Sequence, residues 1–216
     1  GASLLSRRPF RSPHHTTTKV GLIGGGTYPR PGEVTLAHHG VLFLDEFPEF
    51  HREALEVLRQ PLEDGQVTIS RTTLSLVYPS RFMLVAAMNP CPCGYYRDPL
   101  QPCSCTPSQI KRYTTRISGP LLDRIDFMVE TPRLNYEEMV ETGTAETSAQ
   151  IRARVTAARH RQEERFRGTD LFCNAHMGPK QIKKYCLLSM EGKKLISSAV
   201  QNFALSTRGY HRLLRV

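Results

Sequence analysis

The run Gly40-Val-Leu-Phe-Leu-Asp45-Glu46 constrains this chain more than any other segment. Four apolar residues in succession, with no alternation, predict a strand buried on both faces, the situation of a parallel sheet. Two carboxylates stand at its exit. In open α/β folds ligands bind beyond the carboxyl ends of the strands. Consecutive acids there suit a magnesium-bound nucleotide: Asp45 can hold a metal-bound water and Glu46 can polarise an attacking one. The alternative is a strand that simply ends in acids at the surface.

Around this strand the sequence reads as an α/β part followed by a helical one. Residues 1–39 are rich in Gly, Pro, His and Thr and predict loops with short extended pieces. Pro48 and the acids after it open a helix in which Ala54, Leu55, Leu58 and Leu62 share a face, Pro61 is a kink or stop, and Gly65 is the end. Val67 to Ser70 and Leu74 to Val77 predict a hairpin around Arg71. Phe82 to Ala87 predicts a second buried strand, a helix is expected from Ser108, and Ile125 to Val129 predicts a third strand. The expected organisation is an α/β core over residues 1–133, a linker with one short helix over 134–150, and a small all-helical domain over 151–216. In that last part Leu195, Ile196, Ala199, Val200 and Phe203 trace an amphipathic helix, and Ser206 caps a final helix carrying Tyr210, Leu213 and Leu214.

The 216 residues carry a formal net charge of +9, unevenly spread. Arg7, Arg8, Arg11, Lys19 and Arg30 precede the first acid, Glu33. Such an excess fits a polyanionic partner, either nucleotide phosphates or a nucleic-acid backbone, as well as it fits a solvated basic surface. No stretch approaches the ~20 apolar residues that span a bilayer, so no membrane contact is expected. The first ten residues contain no secretory h-region. A cytoplasmic, reducing setting is the expectation, and disulfides are disfavoured there.

Two further motifs fit a nucleotide site. A strand ending at Asn89 beside the acidic strand can orient an attacking water, although an Asn before a Pro is also a common turn former. In Ser118-Gly-Pro-Leu-Leu-Asp123-Arg124-Ile-Asp126, Arg124 can stabilise charge on a transferring phosphoryl group, or it can pair with Asp123 or Asp126. The phosphate cradle G-x-x-x-x-G-K-[ST] is absent. Gly21-Leu-Ile-Gly-Gly-Gly-Thr27 has glycines but no following Lys, which excludes it as a P-loop. The absence is explained if a P-loop lies upstream of Gly1.

Cys91-x-Cys93 and Cys103-x-Cys105 bracket a Pro- and Gly-rich loop with little apolar content. Four thiolates there can close a tetrahedral structural zinc site, whose binding energy would order the loop. The alternative is four unligated thiols. The pairs His14-His15 and His38-His39 read as polar loop residues that hydrogen-bond or touch phosphate, and Cys173 and Cys186 as small buried residues.

Seven motifs in order resemble a known family: Arg8-Pro-Phe-Arg-Ser-Pro-His-His15, Gly32-Glu33 with Leu36-Ala37-His38, Gly40 to Glu46, Leu58-Arg-Gln-Pro-Leu-Glu63, Asn89-Pro-Cys-Pro-Cys-Gly94, Ile117 to Arg124, and Leu205-Ser-Thr-Arg208. From Arg8 to Val216 the chain resembles the magnesium-chelatase-like branch of AAA+ ATPases, in its ComM/YifB group. The resemblance implies a parallel-sheet ATPase core lacking its N-terminal part, followed by a helical lid. It implies Asp45 and Glu46 as the Walker B pair, Asn89 as sensor 1, Arg124 as an arginine finger acting in trans, and Arg208 as sensor 2, with ATP and magnesium as cofactors. The stretch before Gly40 corresponds to the tail of a helix-2 insert and residues 67–78 to the pre-sensor-1 hairpin.

The leading expectation is a motor subunit of a homo-oligomeric, six-membered ring that acts on DNA in helicase or branch-migration work, with Arg11, Lys19, Arg30 and Arg71 tracking the phosphate backbone. A magnesium chelatase motor for porphyrin metallation shares the ATPase chemistry. A chain without a P-loop would also serve as a non-enzymatic interaction domain.

Overall fold

The computed structural model describes residues 7–70, 75–131, 133–134, 136–140 and 146–216. It divides into two units, one up to Ile125 and one from Asp126. The first contains strands β1 (Phe10–Arg11), β2 (Gly24–Gly25), β3 (Arg30–Pro31), β4 (Val41–Leu44), β5 (Gln66–Ser70), β6 (Ser75–Pro79) and β7 (Met83–Ala86). Its helices are α1 (Lys19–Ile23), α2 (Glu33–Leu36), α3 (Arg52–Glu56), α4 (Arg59–Asp64), α5 (Pro107–Thr114) and α6 (Gly119–Leu122). The second unit contains α7 (Tyr136–Val140), α8 (Ser148–Arg165), α9 (Pro179–Tyr185), α10 (Met190–Asn202) and α11 (Thr207–Arg215).

The central sheet is parallel, with β4 between β1 and β7. Leu42 and Leu44 are fully buried and join Phe47, Phe50, Leu55, Leu58 and Val67 in one core. The opposite face of β4 is only half-covered, by stacking of Phe10 on Phe43 at 6.2 Å, so burial on both faces is corrected to burial on one. The second predicted strand is likewise not buried: Met83 and Val85 are 55% and 40% exposed. Its only ladder partner among the described residues is β4. Residues 125–129 form no strand. Ile125 packs on the core, but Phe127, Met128 and Val129 are exposed, because no neighbouring strand among the described residues offers them a ladder.

The predicted helix after Pro48 is broken in two. Pro61 has no N–H for the Val57 carbonyl, and the chain turns between α3 and α4 at that point. Gly65 then closes α4 in the left-handed conformation. The hairpin forms as antiparallel β5 and β6, in the register Val67↔Tyr78. The glycine-rich opening is more structured than a loop reading allows. Thr18 caps α1 by accepting the Gly21 N–H, and Leu22 and Val34 reach the core from α1 and α2. No helix among the described residues is long and apolar enough to cross a membrane.

In the second unit Thr147 and Gln150 form a capping box at the start of α8, and Ser206 caps α11 by accepting the Gly209 N–H. Phe166, Met177 and Ile182 are the fully buried side chains of its core.

Candidate nucleotide site and cysteine cluster

The acidic exit of β4 lies beside the exit of β7. Ladder bonds run past the ends of the strands: the Ala87 N–H donates to the Leu44 carbonyl and the Phe47 N–H to the Ala87 carbonyl, each at 3.0 Å. Asp45, Glu46 and Asn89 therefore occupy one end of the sheet, and all three are exposed. Asp45 Oδ1 accepts the Glu46 N–H at 2.8 Å. Glu46 is held in the left-handed region (φ 51°, ψ 43°), an uncommon conformation for a residue with a side chain, and one that clusters at functional sites. Its carboxylate contacts His15 Nδ1 at 2.8 Å. Sequence reasoning read His15 only as a polar loop residue, since nothing in its local spacing points to the strand exit; it stands edge-on to Phe50 as well.

Arg124 takes neither of the carboxylates that its sequence neighbourhood offers. It ion-pairs with Glu63 and donates to the Pro120 carbonyl at 2.6 Å, with only 11% of its side chain exposed. It lines a groove of about 550 Å³ with Lys19, Glu56, Arg59 and Asp64. A Ser118 hydrogen bond, ahead of the cations Arg59 and Arg52, holds the Glu56 carboxyl below its ordinary range in spite of burial. Arg208 belongs to the second unit, in the first turn of α11.

The basic residues expected on a polyanion divide. The Arg11 guanidinium forks onto Glu33 at 2.6 and 2.8 Å, and this bond raises its pKa. Lys19 and Arg30 are exposed. Arg71 lies outside the described residues. The histidine pairs are hydrogen-bonding loop residues as expected; His38 Nδ1 accepts the Arg81 N–H at 3.0 Å, and burial, then His39 and Arg81, depress its pKa.

Directly after Asn89 the four cysteines gather. Their sulfurs all lie within 4.8 Å of one another, with Cys91–Cys93 at 3.4 Å, Cys93–Cys103 at 3.6 Å and Cys91–Cys103 at 3.7 Å. Such a cluster can hold a thiophilic metal. The Tyr95 backbone amide brings Cys93 down to about 5. Although the Cys105 backbone lowers Cys103, burial and its bonds to Cys93 and Cys91 lift it to about 12. The expectation for the other two cysteines is corrected: Cys173 and Cys186 are only partly buried, Cys173 lying beside His176 rather than inside the core.

Family comparison agrees with this layout. The family model "Magnesium chelatase, subunit ChlI" matches residues 1–139, and "Magnesium chelatase, subunit ChlI C-terminal" matches residues 145–216. Competence protein ComM of Haemophilus influenzae is 46% identical over 97% of this chain and 40% of its own length. YifB of Escherichia coli is 44% identical over the same shares. Magnesium-chelatase subunit ChlI of Bigelowiella natans is 32% identical over 32% of this chain and 19% of its own length. The chain thus spans about 40% of the length of the ComM and YifB relatives it matches. With a parallel sheet that presents Asp45 and Glu46 at its exit, followed in the chain by a helical unit, the chain belongs to the magnesium-chelatase-like AAA+ proteins, in their ComM/YifB group.

Proposed function

We propose that these residues supply the metal- and water-handling half of an ATP-hydrolysing site in a subunit of a ring motor that works on DNA, by helicase or branch-migration action. The observation that carries the reading is the shared sheet end: two exposed carboxylates and the Asn89 amide, locked together by the ladder bonds between residues 44, 47 and 87. Asp45, oriented by the Glu46 N–H and open to solvent, fits a hydrated divalent cation. The phosphate cradle is not among the described residues, since Gly24 and Gly25 pair with β3 instead of opening a helix onto a ligand. Magnesium-bound ATP, when present, brings the phosphoryl group that water attacks.

The chain's own residues divide the remaining work. Asp45 would hold a magnesium-bound water. Glu46 draws the proton of the attacking water once His15 lets go of its carboxylate, and Asn89 orients that water. Arg124 serves the site of an adjoining subunit after leaving Glu63, and Arg208 serves its own. Lys19 and Arg30, with Arg71, offer sequence-independent phosphate contacts, and a six-membered ring places them around one strand. The Haemophilus influenzae relative is named a competence protein, and the basic excess of this chain favours a polyanionic polymer.

The test uses the complete gene product. Glu46→Gln should lower kcat for ATP by about 10²–10⁴-fold with nucleotide binding retained, and DNA affinity should fall steeply as salt rises. An unchanged kcat sinks the catalytic assignment, and salt-independent binding sinks backbone contact. A second reading, a chelatase motor acting on porphyrin, draws on the family description and the ChlI relative. Recovery of a porphyrin-binding partner in place of DNA would favour it. Failure of the complete protein to bind ATP would leave an interaction domain.

A further inference from the structure

We infer that Cys91, Cys93, Cys103 and Cys105 bind one structural Zn²⁺ as a closed tetrathiolate, and that this ion clamps the end of β7, with Asn89, to the start of α5. The geometry carries the assignment. A tetrahedral zinc with Zn–S bonds of about 2.3 Å places its sulfurs about 3.8 Å apart. Three of the sulfur pairs here stand at 3.4, 3.6 and 3.7 Å. All four sulfurs fall within one 4.8 Å group, which is the pattern of corners around a centre and not of two bonded pairs. Four thiolates leave no position open to water, so the ion is structural and does no chemistry of its own.

The backbone is arranged for charged sulfur. The amides of Tyr95 and Ser104 hydrogen-bond Cys93, that of Cys105 bonds Cys103, and that of Cys93 bonds Cys105. The turn that brings Cys93 back on Cys91 is closed by the Gly94 N–H donating to the Cys91 carbonyl at 3.0 Å, with Gly94 at φ +85°. Outer contacts of this kind fix ligand direction in metal sites. The loop between the pairs has little else to order it: Leu100 is 70% exposed and Tyr96 38%.

What the ion would hold follows from chain position. Cys91 is fully buried and lies two residues beyond Asn89. Cys105 directly precedes Thr106, whose capping box with Gln109 starts α5. From α5, buried Tyr113 turns back to a backbone hydrogen bond with Asn89. The cluster thus closes a circuit from sheet end through loop to helix and back. This inference stands apart from ATP hydrolysis and would survive its failure.

The experiment measures metal and thiols, not turnover. Full-length protein, purified without chelator, is expected to contain one zinc per chain. Cys91, Cys93, Cys103 and Cys105 should resist alkylation until a mercurial releases the metal, while Cys173 reacts at once. The double variant Cys93→Ser with Cys105→Ser should drop zinc below about one-tenth per chain and raise amide exchange over residues 83–113 by tenfold or more, leaving residues 148–215 unchanged. Should that variant prove insoluble, wild-type protein refolded with Co²⁺ decides the matter: thiolate-to-cobalt charge-transfer bands with tetrahedral d–d intensity are expected. Absence of those bands, zinc-free protein with four freely alkylated thiols, disulfides in a non-reducing peptide map, iron in place of zinc, or full zinc retention by the double variant would each overturn the assignment.

Discussion

The two units are held together by different means. Up to Ile125, one cluster runs from Leu22 to Leu121 and includes fully buried Phe47 and Phe50. From Asp126, the corresponding cluster rests on Phe166, Met177 and Ile182, and neither α8 nor α10 contributes a fully buried side chain. The sheet explains the difference. A parallel strand delivers consecutive side chains to a surface that helices can cover, whereas short helices without a sheet bury only where two of them touch. The amphipathic stripe read on α10 is real as a pattern, but Leu195 and Phe203 are 72% and 74% exposed. The sharpest way to break this comparison is to truncate one phenylalanine in each unit. Phe50→Ala should cost about 3–5 kcal/mol, and Phe203→Ala should stay within about 0.5 kcal/mol. Urea unfolding of both variants checks this; equal shifts would show that the helical face is covered in solution.

Backbone substitutions test the same contrast at smaller amplitude. A Cβ at Gly40 would stand 1.9 Å from the Pro9 carbonyl oxygen, and this carbonyl accepts the Val41 N–H that seats β1 on β4. Gly40→Ala should therefore cost about 1–3 kcal/mol or unseat β1. Gly168 has open space around it and only its φ of +77° to protect, so Gly168→Ala should cost about 1 kcal/mol. Thermal unfolding separates the two. Of similar size is the loss of an N-cap. Thr106→Ala and Thr147→Ala each remove one side-chain acceptor worth about 1 kcal/mol. Hydrogen exchange should show the first loss spreading through the α/β unit, because α5 carries buried Tyr113, and the second confined to the first turns of α8.

The sequence was most legible where chemistry is written at short range. Val41 to Leu44 announces a parallel strand, its acids announce the exit, Gly65 the end of a helix and Ser206 the start of another. The spacing of the cysteine pairs was enough to suggest four sulfurs meeting. Long-range partners were not legible. β1 is two residues between prolines and becomes a strand only by pairing with Val41 and Leu42. Residues 125–129 have strand composition but no ladder partner among the described residues, and β propensity does not form a strand without one. The contacts of Glu46 with His15, Arg11 with Glu33 and Arg124 with Glu63 join residues whose separation along the chain leaves no periodic trace. The residue types of the candidate site could thus be read from the sequence, while their present partners could not.

A titration sharpens the contrast with the least perturbation. Burial opposes ionisation of Cys173, but the hydrogen bond and charge of His176, with Arg159, bring its thiol from 9.0 down to about 7. A depressed acid stabilises the folded state above the unfolded pKa and loses that contribution as pH falls through the folded one. The helical unit should therefore become slightly less stable between about pH 9 and pH 7, with no matching change from this group in the α/β unit. Alkylation by iodoacetamide should follow the thiolate, with a midpoint near pH 7. His176→Ala should move that midpoint upward and flatten the stability change, and Cys173→Ser should abolish both. A midpoint that stays near 7 in His176→Ala would mean that the imidazole is not what holds the thiolate, and that the helical unit tunes this sulfur through Arg159 and the Ala175 backbone instead.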